Sequence, residues 1–273
     1  MLQVQEFGPV TSIRMSRAFL GRPVRWAYAY LVDGLLIDSG PPCTARELVR
    51  AVQGSRLTQV VNTHQHEDHL GGSAALSDAF GITPQAPAMT VPFLEKPPRI
   101  HLYRRIVWGQ PRPVHAVPID GGWITTSQYR FQLIHAPGHV ADHHVFFEPD
   151  QGWLFSADLF LAERVKYLRV DEDLGELMSS LRLAADLEPQ TIYCAHAGIV
   201  QDGAVALRRK IAYWEKLIAE IHALHDQGLD PPAIRDRVLG PEGGMTRTSS
   251  GHFSKLNFVK AALTLPGGAH DTG

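Results

Sequence analysis

The sequence predicts an α/β or α+β sandwich over residues 1–200. Two observations support this fold class. Short runs of β-branched and apolar residues alternate along the chain with segments in which apolar residues recur at helical spacing. In addition, 44% of the 273 residues are hydrophobic and 20% are charged, which is typical of a globular protein that can build a substantial core.

The N-terminal part of the sandwich begins with a predicted β-hairpin. Its two strands are separated by Asp33-Gly34, a pair that tolerates the positive φ angles of a tight turn. A helix capped by Thr44, a short strand and a second helix follow. The predicted bounds are residues 26–32 and 35–38 for the hairpin, 44–54 for the first helix, 57–62 for the strand and 70–80 for the second helix.

Residues 84–118 differ from their surroundings because proline occurs eight times among them. Proline lacks a backbone N–H and interrupts regular structure. We therefore expect this segment to be an irregular surface insertion or a lid.

The remaining elements predict that the sandwich continues and that a helical extension follows it. Predicted strands cover residues 129–135, 143–148, 153–157 and 191–194, and a helix covers residues 174–187. Apolar residues at helical spacing then predict helices over residues 204–227, 231–239 and 254–263, with a Gly-rich loop before the last one. We accordingly divide the chain into a sandwich domain (residues 1–200), a C-terminal helical extension packed on it (201–265) and a tail (266–273).

The charge and the composition exclude several classes of function. Lys and Arg total 26 against 28 Asp and Glu, so the net charge of −2 provides no general attraction to nucleic acid or to anionic membranes. The N-terminus lacks the pattern of a signal peptide, and no apolar run is long enough to span a bilayer. We expect a cytoplasmic protein in which Cys43 and Cys194 are small buried residues.

The most informative segment is Thr63-His-Gln-His-Glu-Asp-His-Leu-Gly-Gly72, which directly follows a predicted strand. Four potential metal ligands fall within six residues. They are His64, His66, Asp68 and His69. If the backbone stays extended, the first two His side chains point the same way, and the latter two residues can turn towards a neighbouring position from the start of a helix. The alternative is a solvated loop that happens to be rich in His.

Three more candidate ligands occur where later strands end, at His139, Asp158 and His196. Loops at strand ends commonly present side chains to a shared cleft. Each of the three residues alone would more often be a capping or hydrogen-bonding residue. Together with the first cluster, they predict a metal centre.

These seven residues, in this order, resemble the signature of the metallo-β-lactamase-fold hydrolase superfamily: H-x-H-x-D-H, followed by separate His, Asp and His residues. The resemblance covers residues 31–198 and includes residues 36–40, which are similar to the structural loop beneath the family's site. It implies an αββα sandwich with the metals at one edge between the sheets. It also implies that His64, His66 and His139 hold one ion, that Asp68, His69 and His196 hold the other, and that Asp158 bridges them.

The ligand types indicate the cofactor and the chemistry. Imidazole and carboxylate ligands without thiolate suit two divalent ions, with Zn²⁺ the first choice and Mn²⁺ or Fe²⁺ as alternatives. A water that bridges two cations loses a proton more easily, since a bound metal lowers its pKa from 15.7 to about 7. Asp68 is expected to orient the resulting hydroxide, which makes it the candidate catalytic residue.

Departures from the family's patterns bear on the substrate. True metallo-β-lactamases generally lack the bridging Asp, so Asp158 argues against antibiotic hydrolysis. Homoserine lactonases often have Tyr where this chain has Leu161, and hydroxyacylglutathione hydrolases usually have His where it has Gln65. The C-terminal helices are also similar to the extension of small endoribonuclease-like members.

Candidate substrate-binding residues come from two segments. The insertion is basic, and its Arg99, Arg104 and Arg105 could clamp an anionic substrate; the alternative is a solvated surface. The loop before the last helix contains His252, which could donate a proton to a leaving group, although such a loop is more often a connector.

The sequence thus predicts a dinuclear metal-dependent hydrolase that uses a metal-bridging hydroxide to cleave a thioester or lactone in a small molecule. One alternative is a phosphodiesterase or endoribonuclease with the same metal site, in which the basic insertion grips phosphates and nucleic acid is the partner. Another is a non-catalytic metal-binding protein. The oligomeric state stays open, with a homodimer as one option.

Overall fold

A computed structural model describes residues 1–266, so nearly all of the predicted tail lies outside the described residues. The strands, in chain order, are β1 (Leu2–Phe7), β2 (Val10–Met15), β3 (Ala18–Phe19), β4 (Arg22–Pro23), β5 (Ala27–Val32), β6 (Leu35–Ile37), β7 (Gln59–Val61), β8 (Gln85–Ala86), β9 (Val117–Pro118), β10 (Trp123–Thr125), β11 (Arg130–His135), β12 (His144–Glu148), β13 (Trp153–Ala157), β14 (Leu168–Arg169), β15 (Thr191–Cys194), β16 (Gly198–Gln201) and β17 (Phe253–Ser254). The helices are α1 (Ala45–Val52), α2 (Glu67–Leu70), α3 (Ser73–Phe80), α4 (Val91–Glu95), α5 (Leu102–Val107), α6 (Leu174–Asp186), α7 (Gly203–Asp226), α8 (Pro231–Val238), α9 (Gly244–Thr248) and α10 (Lys255–Thr264), and a 3-10 turn covers Pro42–Thr44.

Most of the strands form two mixed sheets. The first has seven strands in the order β1-β2-β5-β6-β7-β8-β9, antiparallel as far as β6 and parallel beyond it. The second has six strands in the order β10-β11-β12-β13-β15-β16, in which only β13 and β15 run parallel. Short ladders join β3 to β4 and β14 to β17.

The two sheets pack face to face and carry helices on their outer faces. Their shared core contains Val32, Ile37 and Val61 from the first sheet against Phe146 and Phe155 from the second. Helices α1 and α3 cover the outside of the first sheet, and α6 and α7 cover the outside of the second. This is the expected αββα sandwich, and the predicted fold class is confirmed.

Most predicted elements are present with small shifts at their ends. The hairpin is β5 and β6, with positive φ at Asp33 and Gly34. The strands predicted at the ligands are β7, β11, β13 and β15. Thr44 precedes α1 as predicted, but its hydroxyl donates to the carbonyl of Pro41 and does not cap the helix. The strands β1 and β2 were not predicted; β1 is an edge strand whose side chains are nearly all exposed.

The helix predicted over residues 70–80 is two helices, α2 and α3, separated at Gly71-Gly72. A β-carbon at Gly71 would lie 2.2 Å from the side chain of Pro42, and one at Gly72 would lie 2.3 Å from the carbonyl oxygen of Ser39. The two glycines therefore allow the ligand-bearing α2 to lie directly on residues 39–42.

Residues 84–118 are more regular than their prolines predict. Their two ends, β8 and β9, complete the first sheet at its edge, where a missing N–H is tolerated. Pro92 lies in the first turn of α4, where proline suits a helix. Leu94 of α4 packs on Leu70 and Ala86 in a small core, so the segment is anchored to the sandwich.

The C-terminal helices are close to those predicted, and the Gly-rich loop before α10 contains the short helix α9. The side chain of Asp230 caps α8, and Ser254 caps α10. Helix α7 shares a core with α6 and with the second sheet. The domain boundary at residue 200 stays a prediction. Within residues 1–266, no helix combines the length and apolar character that crossing a membrane requires.

Candidate metal centre

The seven predicted ligands converge at one edge of the sandwich. They come from the loop after β7, from α2, and from the loops after β11, β13 and β15. Six of them are buried and one is partly buried. Their donor atoms form two groups, within each of which all atoms lie within 4.8 Å of one another. The groups are His64, His66, His139 and Asp158, and Asp68, His69 and His196.

In the first group, three ring nitrogens meet a carboxylate oxygen. Nδ1 of His66 lies 2.9 Å from Nε2 of His64 and 2.9 Å from Nε2 of His139. Oδ2 of Asp158 lies 3.0 Å from Nε2 of His139. This gives three nitrogen donors and one oxygen donor around one point, a set that a tetrahedral divalent ion can use.

The second group lies on the other side of the same carboxylate. Nε2 of His196 is 3.3 Å from Oδ2 of Asp68 and 3.3 Å from Oδ1 of Asp158. Nε2 of His69 is 3.4 Å from Oδ1 of Asp158. Asp158 therefore directs one oxygen at each group, which is the geometry that a bridging ligand needs.

Asp38 and Thr63 orient the rings of His69 and His64. Asp38 Oδ2 accepts a hydrogen bond of 2.7 Å from Nδ1 of His69, and Asp38 Oδ1 accepts from the backbone N–H of Thr63 at 2.9 Å. The hydroxyl of Thr63 donates to the Asp38 carboxylate, so its oxygen accepts from Nδ1 of His64 at 3.0 Å. Both rings are thus left with an Nε2 lone pair that faces the centre.

His139 and His196 are oriented in the same way. Nδ1 of His139 donates to Oε1 of Glu172 at 2.5 Å, and Nδ1 of His196 donates to the carbonyl of Trp26 at 2.7 Å. Four of the five rings are therefore fixed in the tautomer that presents Nε2 as a ligand.

His66 is the exception, because a cation contacts its outer nitrogen. Nη1 of Arg169 lies 2.8 Å from Nε2 of His66, and Nη2 of Arg169 donates to the carbonyl of His139 at 2.9 Å. Arginine can only donate, so Nε2 of His66 accepts and Nδ1 carries the hydrogen of a neutral ring. Binding of a cation through Nδ1 therefore requires the His66 ring to change tautomer, so that Nδ1 has a lone pair.

His143 contacts the backbone of Asp158. Its Nδ1 donates to the carbonyl of Ala136 at 2.9 Å, and its Nε2 accepts from the backbone N–H of Asp158 at 3.2 Å. Gly138 has a φ of 115°, and a β-carbon there would lie 2.4 Å from the backbone nitrogen of Leu177. The chain can therefore turn tightly before His139, against the start of α6.

The electrostatics keep both carboxylates ionised. Burial raises the pKa of Asp158, but the rings of His196, His69 and His139 more than offset it, so its pKa lies well below the ordinary value. Burial also raises the pKa of Asp68, but the neighbouring rings of His196 and His69 hold it below the ordinary value. Ionised carboxylates are the form that binds metal.

Two buried atoms at the centre point to a cation. Nε2 of His69 and Oδ1 of Asp158 have no hydrogen-bond partner among residues 1–266. A buried polar atom without a partner is costly unless something else satisfies it. These two atoms, and a donor set that consists of imidazole nitrogens and carboxylate oxygens, fit two divalent metal ions.

Comparison with known proteins identifies the family. The sequence profile of the metallo-beta-lactamase superfamily matches residues 25–196, which is more than half of the chain. This protein belongs to the metallo-beta-lactamase superfamily. The sequence-based prediction of this family is therefore confirmed.

Superfamily members of known sequence or structure resemble the chain over most of its length. A hydroxyacylglutathione hydrolase of Legionella pneumophila (strain Corby) is 28% identical over 181 residues, covering 65% of this chain and 63% of that protein. An atrochrysone carboxyl ACP thioesterase of Pseudocercospora fijiensis is 26% identical over 240 residues, covering 85% and 65%. The relatives thus include hydrolases. The chain spans less than two thirds of the length of each of these two proteins.

The solved structures support the fold. A metallo-beta-lactamase family protein from Thermus thermophilus superposes with a TM-score of 0.66 at 18% identity, covering 92% of this chain and 91% of that chain. A metallo-beta-lactamase from Pontibacter korlensis superposes with a TM-score of 0.60 at 19% identity, covering 78% and 98%.

A cavity of about 830 Å³ opens above the metal centre. Its floor contains ligands of both groups, including His66, Asp68 and His196, and Trp26 and Trp108 form part of its wall. Pockets of this volume accommodate small organic ligands. The side chains of the metal centre can therefore reach a small molecule that binds in the cavity.

The predicted substrate residues of the insertion are placed differently from one another. Arg104 lines the cavity, but its guanidinium forms two hydrogen bonds, of 2.7 and 2.6 Å, to the buried carboxylate of Glu67. Arg99 and Arg105 are exposed and do not line this cavity. The basic residues of the insertion suggested a clamp for an anionic substrate. The sequence could not show that the guanidinium of Arg104 is already bonded to the carboxylate of Glu67.

His252 does not line the cavity either. Its Nδ1 lies 2.6 Å from the hydroxyl of Tyr103, and Tyr103 does line it. His252 therefore contacts the cavity lining through the side chain of Tyr103.

Several contributors were not predicted from the sequence. Glu172 and Arg169 contact metal-centre residues, but they lie in a short segment without motif spacing. Arg25, Arg164 and Lys166 line the mouth of the cavity and form no ion pair within residues 1–266. No local pattern links these three cations, which the fold brings together from two distant loops.

Proposed function

We propose that this protein is a dinuclear metal-dependent hydrolase that cleaves an ester-type bond, a thioester or a lactone, in a small molecule. The observation that carries the proposal is the pair of donor groups that lie on either side of Asp158 at the floor of the cavity. A single structural ion would not require two such groups on either side of one carboxylate.

The ligand residues would divide between the two ions as the two groups indicate, with Zn²⁺ as the first choice and Mn²⁺ or Fe²⁺ as alternatives. Bound ions would supply Lewis acidity and lower the pKa of an attacking water. The ionised carboxylate of Asp68 lines the cavity and can accept a hydrogen bond from that water, which orients it towards the substrate.

Within this class we favour a thioester with an anionic group. Two of the relatives described above are named for thioester chemistry. The mouth supplies three cations, Arg25, Arg164 and Lys166, that have no acidic partner within residues 1–266 and suit a carboxylate or phosphate at a distance from the scissile bond. The apolar wall at Trp26 and Trp108 suits the acyl part. A cytoplasmic location remains part of the proposal.

The nuclease alternative is less well supported by the insertion. Arg104 forms an ion pair with the buried carboxylate of Glu67, so it is not free to grip phosphates. Arg99 and Arg105 lie outside the cavity lining. A strong fall of nucleic-acid affinity with salt would be the sign of this alternative.

The test is turnover by the zinc- and manganese-loaded protein on one panel of thioesters, lactones, β-lactams, phosphodiesters and short RNA, each with a chelated control. Chelator-sensitive cleavage of thioesters or lactones is the expected result. Cleavage of phosphodiesters or RNA alone would establish the alternative.

The variant Asp158→Asn separates an enzyme from a non-catalytic metal-binding protein. It should keep its circular dichroism spectrum and lose at least about 100-fold in turnover, since even residues that only support metal ligands are typically worth 10–100-fold. Absence of turnover in the wild type on every substrate of the panel, with both ions bound, would favour the non-catalytic protein.

A further inference from the structure

A lysine is buried beside the loop that carries the bridging carboxylate. Lys210 lies on α7, and only 1% of its surface is exposed. It forms no ion pair within the described part of the chain. Burial of an amino group without an acidic partner is unfavourable, so other contacts must stabilise Lys210 at this position.

Nζ of Lys210 contacts backbone oxygens one and two residues beyond Asp158. It donates to the carbonyl of Leu159 at 3.1 Å and to the carbonyl of Phe160 at 2.5 Å. The centre of the Trp214 ring lies 4.5 Å from Nζ. Burial lowers the pKa of Lys210 to about 7, and both its charged and its neutral form can donate to these two carbonyls.

The turn that receives these hydrogen bonds has an unusual backbone. Ala157 and Leu161 have φ angles of 44° and 55°, a left-handed conformation that residues other than glycine rarely adopt. Such a conformation persists when surrounding contacts hold it. The sheet holds the start of the turn, where the carbonyl of Ala157 accepts from the N–H of Ala195 at 3.1 Å. The hydrogen bonds from Lys210 to residues 159 and 160 hold the middle of the turn.

The position of Asp158 depends on this turn. One oxygen of its carboxylate must face His139, and the other must face His69 and His196, at distances of 3.0 to 3.4 Å. A small rotation of the turn would move one oxygen away from its group. His143 fixes only the N–H of Asp158, on the other side of the residue.

We propose that Lys210 is a positioning residue for the metal centre: it fixes the turn of residues 157–161 from α7 so that Asp158 can face both donor groups. This inference rests on the proposed function, because it assigns Lys210 a role at the same metal site. It also gives the C-terminal helix α7 a part in metal binding, although α7 supplies no ligand.

The test compares Lys210→Met with the wild type. Met is similar in length and apolar, so it fills the site without donating a hydrogen bond. The apo-proteins are titrated with Zn²⁺ against a chromophoric chelator, and their unfolding by urea is followed by circular dichroism. We expect the affinity for one of the two ions to fall about 10- to 100-fold, as is typical when a residue that supports metal ligands is lost. The matched control is Ile221→Val, a buried position of the same helix away from the turn.

Equal affinities for both ions in Lys210→Met and in the wild type would overturn the inference, and so would an equal loss in the control. If Lys210→Met does not fold, Lys210→Arg decides, since its longer side chain must displace the two carbonyls. A folded Lys210→Arg with wild-type affinities would also overturn it. A wild type that binds no second ion would instead contradict the proposed function.

Discussion

The floor and the mouth of the cavity are stabilised in different ways. On the floor, the outward-facing nitrogens of four His rings are bonded to Asp38, Thr63, Glu172 or a backbone carbonyl. At the mouth, the cations of residues 25, 164 and 166 are exposed and have no ion-pair partner within residues 1–266. The floor is therefore built to hold one fixed geometry, whereas the mouth leaves charge available for whatever binds.

The largest effect that we expect concerns Arg104, which lines the cavity but is bonded like a floor residue. Arg104→Met leaves the carboxylate of Glu67 buried without a partner, and breaking a buried pair in this way typically costs about 3–5 kcal/mol of unfolding free energy. Urea unfolding measures this loss. The double variant Glu67→Gln/Arg104→Met should regain part of it, because no buried charge is left unpaired.

A different outcome would assign Arg104 to substrate binding, like the cations at the mouth of the cavity. If Arg104→Met kept its unfolding free energy and raised the KM of the thioester, the residue would be a substrate contact and the contrast between floor and mouth would fail at this position.

The next effect concerns Asp38, which supports His69 from the floor. Asp38→Asn weakens the hydrogen bond that fixes the tautomer of His69, so the affinity for one zinc ion should fall about 10- to 100-fold. Glu172→Gln, which alters the same kind of contact at His139, should produce a loss of similar size. Zinc titration against a competing chelator measures both. An unchanged affinity in the two variants would mean that the floor is not held by these contacts.

A smaller effect is expected at the mouth. Arg164→Ala and Lys166→Ala should each raise the KM for an anionic thioester about 10-fold at unchanged kcat, because they remove binding that is equal in the ground state and in the transition state. The matched control is Arg208→Ala, an exposed arginine away from the cavity. A fall in kcat without a change in KM would contradict a role in binding alone.

The last effect concerns Glu242, which connects α10 to the segment that forms one wall of the mouth. Its carboxylate accepts hydrogen bonds from the hydroxyls of Thr246 and Ser254 and from backbone N–H groups at the start of α10. Burial would raise the pKa of Glu242, but these hydrogen bonds lower it from 4.5 to about 2. A lowered pKa stabilises the folded state above the unfolded-state value of 4.5, and this contribution is lost as the pH falls towards 2.

Glu242→Gln should therefore be less stable than the wild type at pH 7, and the difference should shrink as the pH falls from 4.5 towards about 2. Urea unfolding across this range measures it, with the exposed Glu220→Gln as the control. A stability difference that persists at the acid end of the range would show that the ionised carboxylate is not what stabilises this connection.

The convergence of the candidate ligands on the floor could be predicted because their sequence pattern is local. Four ligands lie within residues 64–69, and the other three follow strands whose apolar patterns are clear, so the order of the elements suffices to bring them to one edge. The layers of the sandwich could be predicted for the same reason, since each strand and helix carries its own periodicity.

The mouth could not be predicted because it depends on contacts between distant segments. Arg104 was a candidate substrate residue until the fold placed the carboxylate of Glu67 beside it. Arg164 and Lys166 belong to no recognisable motif. Arg25 is distant from them in the sequence, and only the fold brings it to the same cavity. The proline content of residues 84–118 predicted irregular structure, but edge strands and short helices tolerate those prolines.

Whether Asp158 joins two metal sites can be decided by counting the zinc ions that the wild-type chain and Asp158→Asn bind in a titration against a competing chelator. We expect two tightly bound ions per wild-type chain and the loss of at least one of them in Asp158→Asn, with the fold retained by circular dichroism. A single ion in the wild type, or two equally tight ions in the variant, would contradict a dinuclear centre bridged by Asp158.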